Sequence, residues 1–407
     1  MRMRRFQDFL LLLLALVLVL PIAAVLGSWL QWDGQSGQIL REMAATVLPA
    51  YAATSLFLCA VVALGVALVG TATAACVTLF EFRGRRSFEW LLLLPLAMPA
   101  YVVAYAYTDF LQYSGPLQSW MRAAFGLEGR LLPDIRSVGG AAWVFVFSLY
   151  PYVYLLVRTA FTERAAHLME AARLLGAPLS RRIGRIAIPL ARPAVTAGAA
   201  LALMETLADF GVSSYFGIQT FTTGIYKAWL AMDNRIAAAQ LATSLLAVVA
   251  ALLWVEHRAQ RRLRFSTSRG GRGGSAEAQP VPLHGVRLLL AWLVCAVPVL
   301  MGFLLPVAFM LRPLAADWSV LPWDRFLLWA FNSVRLGAIS AALAVALALL
   351  LAFSLRRSSD AVTRGVVHLT GLGYAVPGQN RPVRGQRAQH EGHRQQETHK
   401  YRHGTNQ

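Results

Sequence analysis

Apolar runs of about 20 residues recur along most of the chain, and each is long enough to cross a bilayer as an α-helix. Hydrophobic residues make up 57% of the 407 residues and charged residues only 14%, whereas soluble domains carry about a quarter. Seven runs contain no charged residue: 9–30, 49–80, 90–108, 137–157, 236–255, 288–311 and 336–355. An eighth run, 194–218, is interrupted by Glu205 and Asp209. The sequence therefore predicts an all-α polytopic membrane protein.

The formal net charge of +18 is concentrated in alternate connections between these runs. Residues 158–192 hold seven arginines and two glutamates, and residues 256–277 hold six arginines and two glutamates. Residues 109–136, on the other side, balance three arginines against three acids. Because cytoplasmic loops carry the basic excess, we expect the N-terminus and both basic segments to be cytoplasmic. The charge thus fits a lipid bilayer, and no nucleic-acid-binding motif accompanies it.

A Gly/Ser/Arg-rich stretch at 266–275 has the composition of a flexible connector, and the pattern of the chain restarts after it. One offset of 278 pairs Ser55 with Ser333 and Pro99 with Pro377, with ten identities in 45 ungapped positions. Both prolines end an Ala-x-Pro triplet. We interpret the chain as a tandem duplication of a six-span unit.

These features predict five regions. The first is a membrane anchor with a periplasmic segment, the second a complete membrane domain, the third a cytoplasmic Gly/Arg linker, the fourth a partial second unit and the fifth a disordered polar tail. Their bounds are 1–50, 51–255, 256–286, 287–378 and 379–407.

The basic loop between the fourth and fifth spans carries the most specific motif. It reads Glu170-Ala171-Ala172, three residues, Gly176, nine residues, and then Ile186-Ala-Ile188-Pro189. This resembles the EAA loop of bacterial ABC importer permeases at every fixed position. The resemblance covers residues 50–255 and, as a partial second copy, 331–378. It implies the type I ABC importer transmembrane fold, with one complete six-helix unit and an EAA loop over 163–193.

The loop residues also have a direct physical interpretation. From Thr162 to Leu175 small and apolar residues recur at helical spacing, and Gly176 then Pro178 form a helix stop. A short amphipathic helix outside the membrane is suited to bind in another protein's groove. The resemblance names that partner as an ABC ATPase subunit and adds a periplasmic substrate-binding protein and an inner-membrane location. The chain has no GxxxxGK(S/T) phosphate loop, so we expect no catalytic residues and no cofactor here.

The segment after the loop is similar to the ferric-iron branch of this family, whose members fuse two permease units. The matching residues are Leu203-Met-Glu205-Thr-Leu-Ala-Asp209-Phe-Gly211, Ser214 to Gly217 and Thr220 to Tyr226. Four residues apart, Glu205 and Asp209 would share a helix face. A carboxylate at bilayer depth costs about 2.5–3.5 kcal/mol, so it should face the bundle interior or an aqueous path. The pair either lines a translocation path or gate, or holds helices together. Thiamine, polyamine or phosphonate import is the alternative within the family.

Other chemistry finds little support. The three cysteines lie in apolar runs without a CxxC pair, and no histidines pair within a span, so no metal site is expected. An intramembrane hydrolase would need a second acidic pair or a histidine facing Glu205 and Asp209, and the spans contain neither. A membrane scaffold without transport is the remaining class.

After Gly378 the sequence changes character. Residues 379–407 contain six basic and two acidic residues and four histidines, where a further span should continue. We hypothesise a frameshift or premature end, with loss of the second EAA loop and a non-functional truncated permease as an alternative outcome. The reading frames past codon 378 test this.

Overall fold

A computed structural model describes residues 16, 20–21, 23–31, 34–126, 128–162, 166–267, 280–316 and 322–357. Within them six helices are long and apolar enough to span a membrane, which confirms the all-α polytopic fold class. The predicted tail, Pro377 and most of the first predicted span lie outside the described residues. The six candidate spans are Leu48–Leu79, Val138–Ala160, Leu179–Ala208, Arg235–Leu252, Val286–Leu314 and Trp323–Leu349.

The described helices and strands are numbered in chain order. The first group is α1 (Gly34–Thr46), α2 (Leu48–Leu79), β1 (Phe80–Glu81), α3 (Arg85–Leu91), α4 (Ala100–Leu111), α5 (Pro116–Phe125) and α6 (Val138–Ala160). The middle group is α7 (Ala166–Leu174), α8 (Leu179–Arg182), α9 (Ile188–Ala208), α10 (Gly211–Phe216), α11 (Phe221–Tyr226) and α12 (Arg235–Thr267). The last group is β2 (Val281–Pro282), α13 (Val286–Val299), α14 (Leu305–Ala316) and α15 (Trp323–Arg357). Short 3₁₀ turns cover Ser28–Leu30 and Leu94–Ala97, and π-helical turns cover Ile183–Ala187, Lys227–Ala231 and Leu300–Leu304.

The core of the bundle lies where α2 and α9 pack against α6. A Cβ built on Gly70 of α2 would lie 2.7 Å from the Cβ of Val153, and one built on Gly198 of α9 would lie 2.6 Å from the Cα of Val153. Gly65 lies equally close to Val146. Glycines therefore let both helices approach α6 at backbone distance, as small residues do at membrane helix interfaces.

The same contacts fix the relative direction of the helices. Gly65 meets Val146 and Gly70 meets Val153, so α2 and α6 run parallel and end on the same side. We call this the loop side, because residues 161–187 connect α6 to α9 there, and the opposite side the far side. The start of α2, the end of α9 and the start of α12 lie on the far side.

The predicted span 90–108 is not one helix. It is part of a pair of segments, Arg85–Ala97 and Ala100–Phe125, bent by 89°. The break falls at Met98, whose ψ of 122° is extended, before Pro99. Proline lacks an N–H and excludes the preceding residue from the helical region, so the Ala-x-Pro triplet marks a break and not a continuing helix.

The predicted span 194–218 was also placed too late in the chain. The helical segment begins at Leu179 and ends at Ala208, so nearly half of it, 179–192, comes from the basic loop. Likewise, the predicted linker is helical as far as Thr267, since α12 continues through residues 256–267. Its remaining Gly/Arg residues, 268–279, lie outside the described residues.

The first span after the linker packs against the bent pair. The Trp292 indole donates to the carbonyl of Arg83 at 3.1 Å, and Tyr107 donates to the carbonyl of Met301 at 2.7 Å. Phe110 stacks on Phe309 with ring centroids 3.8 Å apart. Residues 286–316 are therefore joined to the first unit by polar and aromatic contacts.

A cross-linking experiment tests this contact. Cys76 in α2 packs against the hydrophobic cluster that contains Cys295 of α13, and the two thiols lie close enough to interact. We therefore expect a disulfide to form between them on oxidation. With a protease site inserted in residues 268–275, copper-phenanthroline oxidation should hold the two fragments together on a non-reducing gel. Cys76→Ser should abolish the link although Cys59 remains in α2. A link of equal yield in that variant would contradict the packing.

Candidate coupling loop and far-side carboxylates

The EAA residues form a short helix and its stop. Helix α7 is described from Ala166 onward, and the predicted helix start at Thr162 is untested because residues 163–165 lie outside the described residues. Glu170 pairs with Arg173 at 3.8 Å, an exposed contact that contributes little energy. Ala172 is half-buried and Ala171 exposed, so the motif straddles the boundary between bundle and solvent.

Gly176 ends α7 in a left-handed conformation. Its φ is +76°, its N–H donates to the carbonyl of Arg173, and the Ala177 N–H donates to the carbonyl of Ala172, both at 2.9 Å. These two bonds define a Schellman motif, in which glycine is favoured because it has no Cβ. The presence of glycine at position 176 of the motif therefore has a conformational cause.

One residue of α7 anchors it to the bundle while its end stays exposed. Met169 is 5% exposed and belongs to the main hydrophobic cluster, and its carbonyl accepts from Arg182 at 3.4 Å. Leu174 and Leu175 are 82% and 87% exposed. The loop thus presents two leucines away from the bundle, in a segment that connects spans and does not cross the bilayer.

The second half of the motif starts the next span. Ile186 lies half-buried against the main cluster, Ile188 is 45% exposed, and Pro189 occupies the first turn of α9. Proline is favoured there because its missing N–H would be unpaired anyway. Helix α7 also contacts α8 and the π-helical turn Ile183–Ala187, so the motif positions Glu170 to Pro189 are brought together at the start of α9.

An ion pair that the sequence did not single out connects the bent segment to the helix that enters the loop. Arg158, at the end of α6, pairs with Glu89 of α3 at 2.7 Å, and Tyr154 donates to the Glu89 carbonyl at 3.2 Å. Arg158 was counted only as a loop charge, although Glu89, an acid directly before an apolar run, was a signal for such a partner. This contact fixes α3 against the end of α6.

The two far-side carboxylates do not share a helix face as predicted. Helix α9 ends at Ala208, and Asp209 is extended with ψ 123°. Asp209 accepts from the Val212 N–H at 2.8 Å and so caps α10, whereas Glu205 accepts from the Tyr152 hydroxyl at 3.1 Å. The helical spacing rule fails here because the helix stops between them. Within the described residues no group of three or more His, Cys, Asp or Glu side chains is placed to hold a metal ion.

Residues 66–265 match the family of binding-protein-dependent transport system inner membrane components. A protein described as a candidate 2-aminoethylphosphonate transport system permease, from Salmonella choleraesuis (strain SC-B67), is 27% identical over 177 residues, covering 42% of this chain and 62% of the relative. The sulfate transport system permease of Escherichia coli (strain K12) is 27% identical over 49% of this chain and 70% of the relative.

A third relative is an Fe(3+)-transport system permease of Haemophilus influenzae (strain ATCC 51907 / DSM 11121 / KW20 / Rd). It is 25% identical over 48% of this chain and 34% of its own length. The named solutes of the three relatives differ, so ferric specificity does not follow from similarity. The family match runs from within α2 to within α12 and includes the whole EAA motif. Residues 66–265, just under half of the chain, are therefore similar to the inner membrane components of binding-protein-dependent transport systems.

Proposed function

We propose that this chain is the permease subunit of an ABC importer. Helix α7 docks in a groove of a separate ATPase subunit, and a periplasmic binding protein delivers a small solute to the far side. The exposed pair Leu174 and Leu175 carries the proposal, because an apolar tip outside the bilayer needs a protein partner. ATP hydrolysis then belongs to the partner, and this chain is not an enzyme.

The proposal sets the orientation in the cell inner membrane. The loop side is cytoplasmic, where the ATPase subunit has access to α7, and the far side is periplasmic. The N-terminus is cytoplasmic by the distribution of arginine in the loops.

If α7 docks in the ATPase subunit, introducing negative charge at Leu174 and Leu175 should prevent that subunit from binding. An affinity-tagged chain, co-expressed with an ABC ATPase subunit of the same genome, should retain that subunit on purification. The double variant Leu174→Glu, Leu175→Glu should lose it, because two carboxylates would be buried without partners. Leu30→Glu is the matched control, since Leu30 is 90% exposed on the far side. Retention by the double variant, or loss by the control, would contradict docking through α7.

Ferric iron is the substrate that the resemblance of residues 203–226 proposes, and the similarity to an Fe(3+)-transport permease supports it. An oxyanion such as a phosphonate is the alternative, supported by the sulfate and phosphonate relatives. Both are small ions that a binding protein can deliver.

Glu205 and Asp209 are proposed to line the translocation path or gate. Glu205→Gln and Asp209→Asn keep the hydrogen-bonding shape of each side chain and remove its charge. Uptake by the reconstituted importer should therefore change, falling for ferric iron and rising for an oxyanion, while thermal stability stays unchanged. Asp209→Ala also removes a helix cap and should cost about 0.5–2 kcal/mol of stability. Tyr152→Phe separates the roles: if it lowers uptake as much as Glu205→Gln does, Glu205 holds α6 to α9 and does not line a path.

A further inference from the structure

A small cavity of about 250 Å³ lies on the far side. Neither carboxylate lines it, although Asp209 accepts from the backbone N–H of Ser213 in its wall. Its walls come entirely from the segment between the fifth and sixth spans of the first unit, residues 210–231. The segment is fixed to the far-side helix ends: Thr222 donates to the Leu207 carbonyl at 2.5 Å, and the Phe221 N–H donates to the Ser55 hydroxyl at 2.8 Å. The cavity therefore lies where an incoming solute first meets the bundle.

Lys227 supplies an unneutralised positive charge at this cavity. Its ammonium donates to the Tyr51 hydroxyl at 2.9 Å and to Gln219 Oε1 at 2.5 Å, and it lies 5.2 Å from the Tyr51 ring centroid. Both acceptors are neutral, and none of the ion pairs among the described residues includes Lys227. An ammonium has three N–H donors, so one is left for a ligand.

Ser213 adds a buried donor without a partner. Its side chain is 1% exposed and lines the cavity, yet its hydroxyl makes no hydrogen bond within the described part of the chain. Leaving a buried hydroxyl unpaired costs about 1–3 kcal/mol, so a ligand that accepts from it gains from binding. Ser214, Gln219 and Thr223 bring further neutral polar groups to the same wall.

The lining favours an anion over a metal cation. It includes one cation and several hydroxyl and amide groups but no Asp, Glu, His or Cys. Hard cations are bound by carboxylates, carbonyls and water, whereas charge-assisted donation from lysine suits sulfate- or phosphate-like oxygens. The volume is below the roughly 300–1,000 Å³ of sites for drug-sized ligands.

We infer that this cavity is the entry site for a small tetrahedral oxyanion, held by Lys227 and Ser213. The inference rests on the proposed function and names the substrate class of the importer. It places recognition on the permease itself, in addition to the binding protein, and it argues against ferric iron as the solute.

Binding to the full chain alone tests the inference. In lipid nanodiscs, equilibrium dialysis with radiolabelled sulfate should give saturable binding, displaced by phosphate or methylphosphonate and not by equal chloride. Lys227→Gln should weaken it about tenfold to hundredfold and Ser213→Ala by up to about tenfold, from the energies of charged and neutral hydrogen bonds. Lys227→Arg, which keeps the charge, should bind more tightly than Lys227→Gln.

The controls separate site, fold and function. Arg130→Gln removes an exposed far-side charge that does not line the cavity and should leave binding unchanged. The Cys76–Cys295 cross-link yield reports folding of every variant. The inference would be overturned if none of the three oxyanions binds saturably, or if Lys227→Gln binds them as tightly as the unsubstituted chain. It would also be overturned if the chain binds Tb³⁺ instead of oxyanions, independently of Lys227. ATPase co-purification needs no oxyanion, so its loss would instead count against the proposed function.

Discussion

Replacing Gly176 with valine is expected to abolish co-purification of the ATPase subunit while the spans remain folded. Gly176 has φ +76°, and a left-handed backbone costs other residues about 1–2 kcal/mol, more when they are β-branched. The variant should relax by breaking the bonds to Ala172 and Arg173, which changes the direction of α7 and of Leu174 and Leu175. Pull-down of the tagged chain, with the cross-link as a fold check, measures the effect.

Gly184 provides the matched control in the same loop. It is exposed, its φ lies in the ordinary helical range, and a Cβ there would meet nothing within 4 Å. Gly184→Val should therefore change stability by only a few tenths of a kcal/mol, in the favourable direction, because valine has the higher helix propensity, and it should keep the ATPase. If both variants keep it, the Schellman motif is not needed for docking.

Replacing Gly70 or Gly198 with leucine should prevent the chain from reaching its folded state. Each glycine lies within a Cβ's reach of Val153, and the atoms near Gly70 include the backbone carbonyl of Tyr150 at 2.9 Å. Overpacking a core costs about 1–3 kcal/mol when side chains can move, and more where backbone is the obstacle. Fluorescence-detected size exclusion should show aggregate in place of a single peak.

The control for these variants is Gly337, in α15. A Cβ there would meet nothing within 4 Å, so Gly337→Leu should leave the elution profile unchanged. A single peak for Gly70→Leu would mean that α2 and α6 do not approach at backbone distance.

The sequence predicted what depends on local chemistry. Helix α7 and its stop at Gly176 follow from capping rules and motif spacing, and the structure has both. Pro189 is part of the predicted motif, but its place in the first turn of α9 emerged only from the structure.

The errors arose where tertiary context decides whether a helix continues. The 89° bend at Met98 had a local signal in Pro99, which was used only as a repeat marker, whereas the helical stop at Ala208 has no breaker before Asp209. The cavity around Ser213 and Lys227 was missed for a similar reason. Its walls depend on two short helices and a left-handed turn at Gly217, which periodicity does not detect.

The pairing of β1 with β2 has a consequence for biogenesis. Phe80 is aligned with Val281 and Glu81 with Pro282, in a parallel two-residue ladder on the loop side. Contacts so distant in sequence form after the intervening chain has been made, and here that chain includes the bent pair and three spans. The ladder, together with the Trp292–Arg83 hydrogen bond, therefore forms only after translation has passed residue 292, when three later spans have already been made.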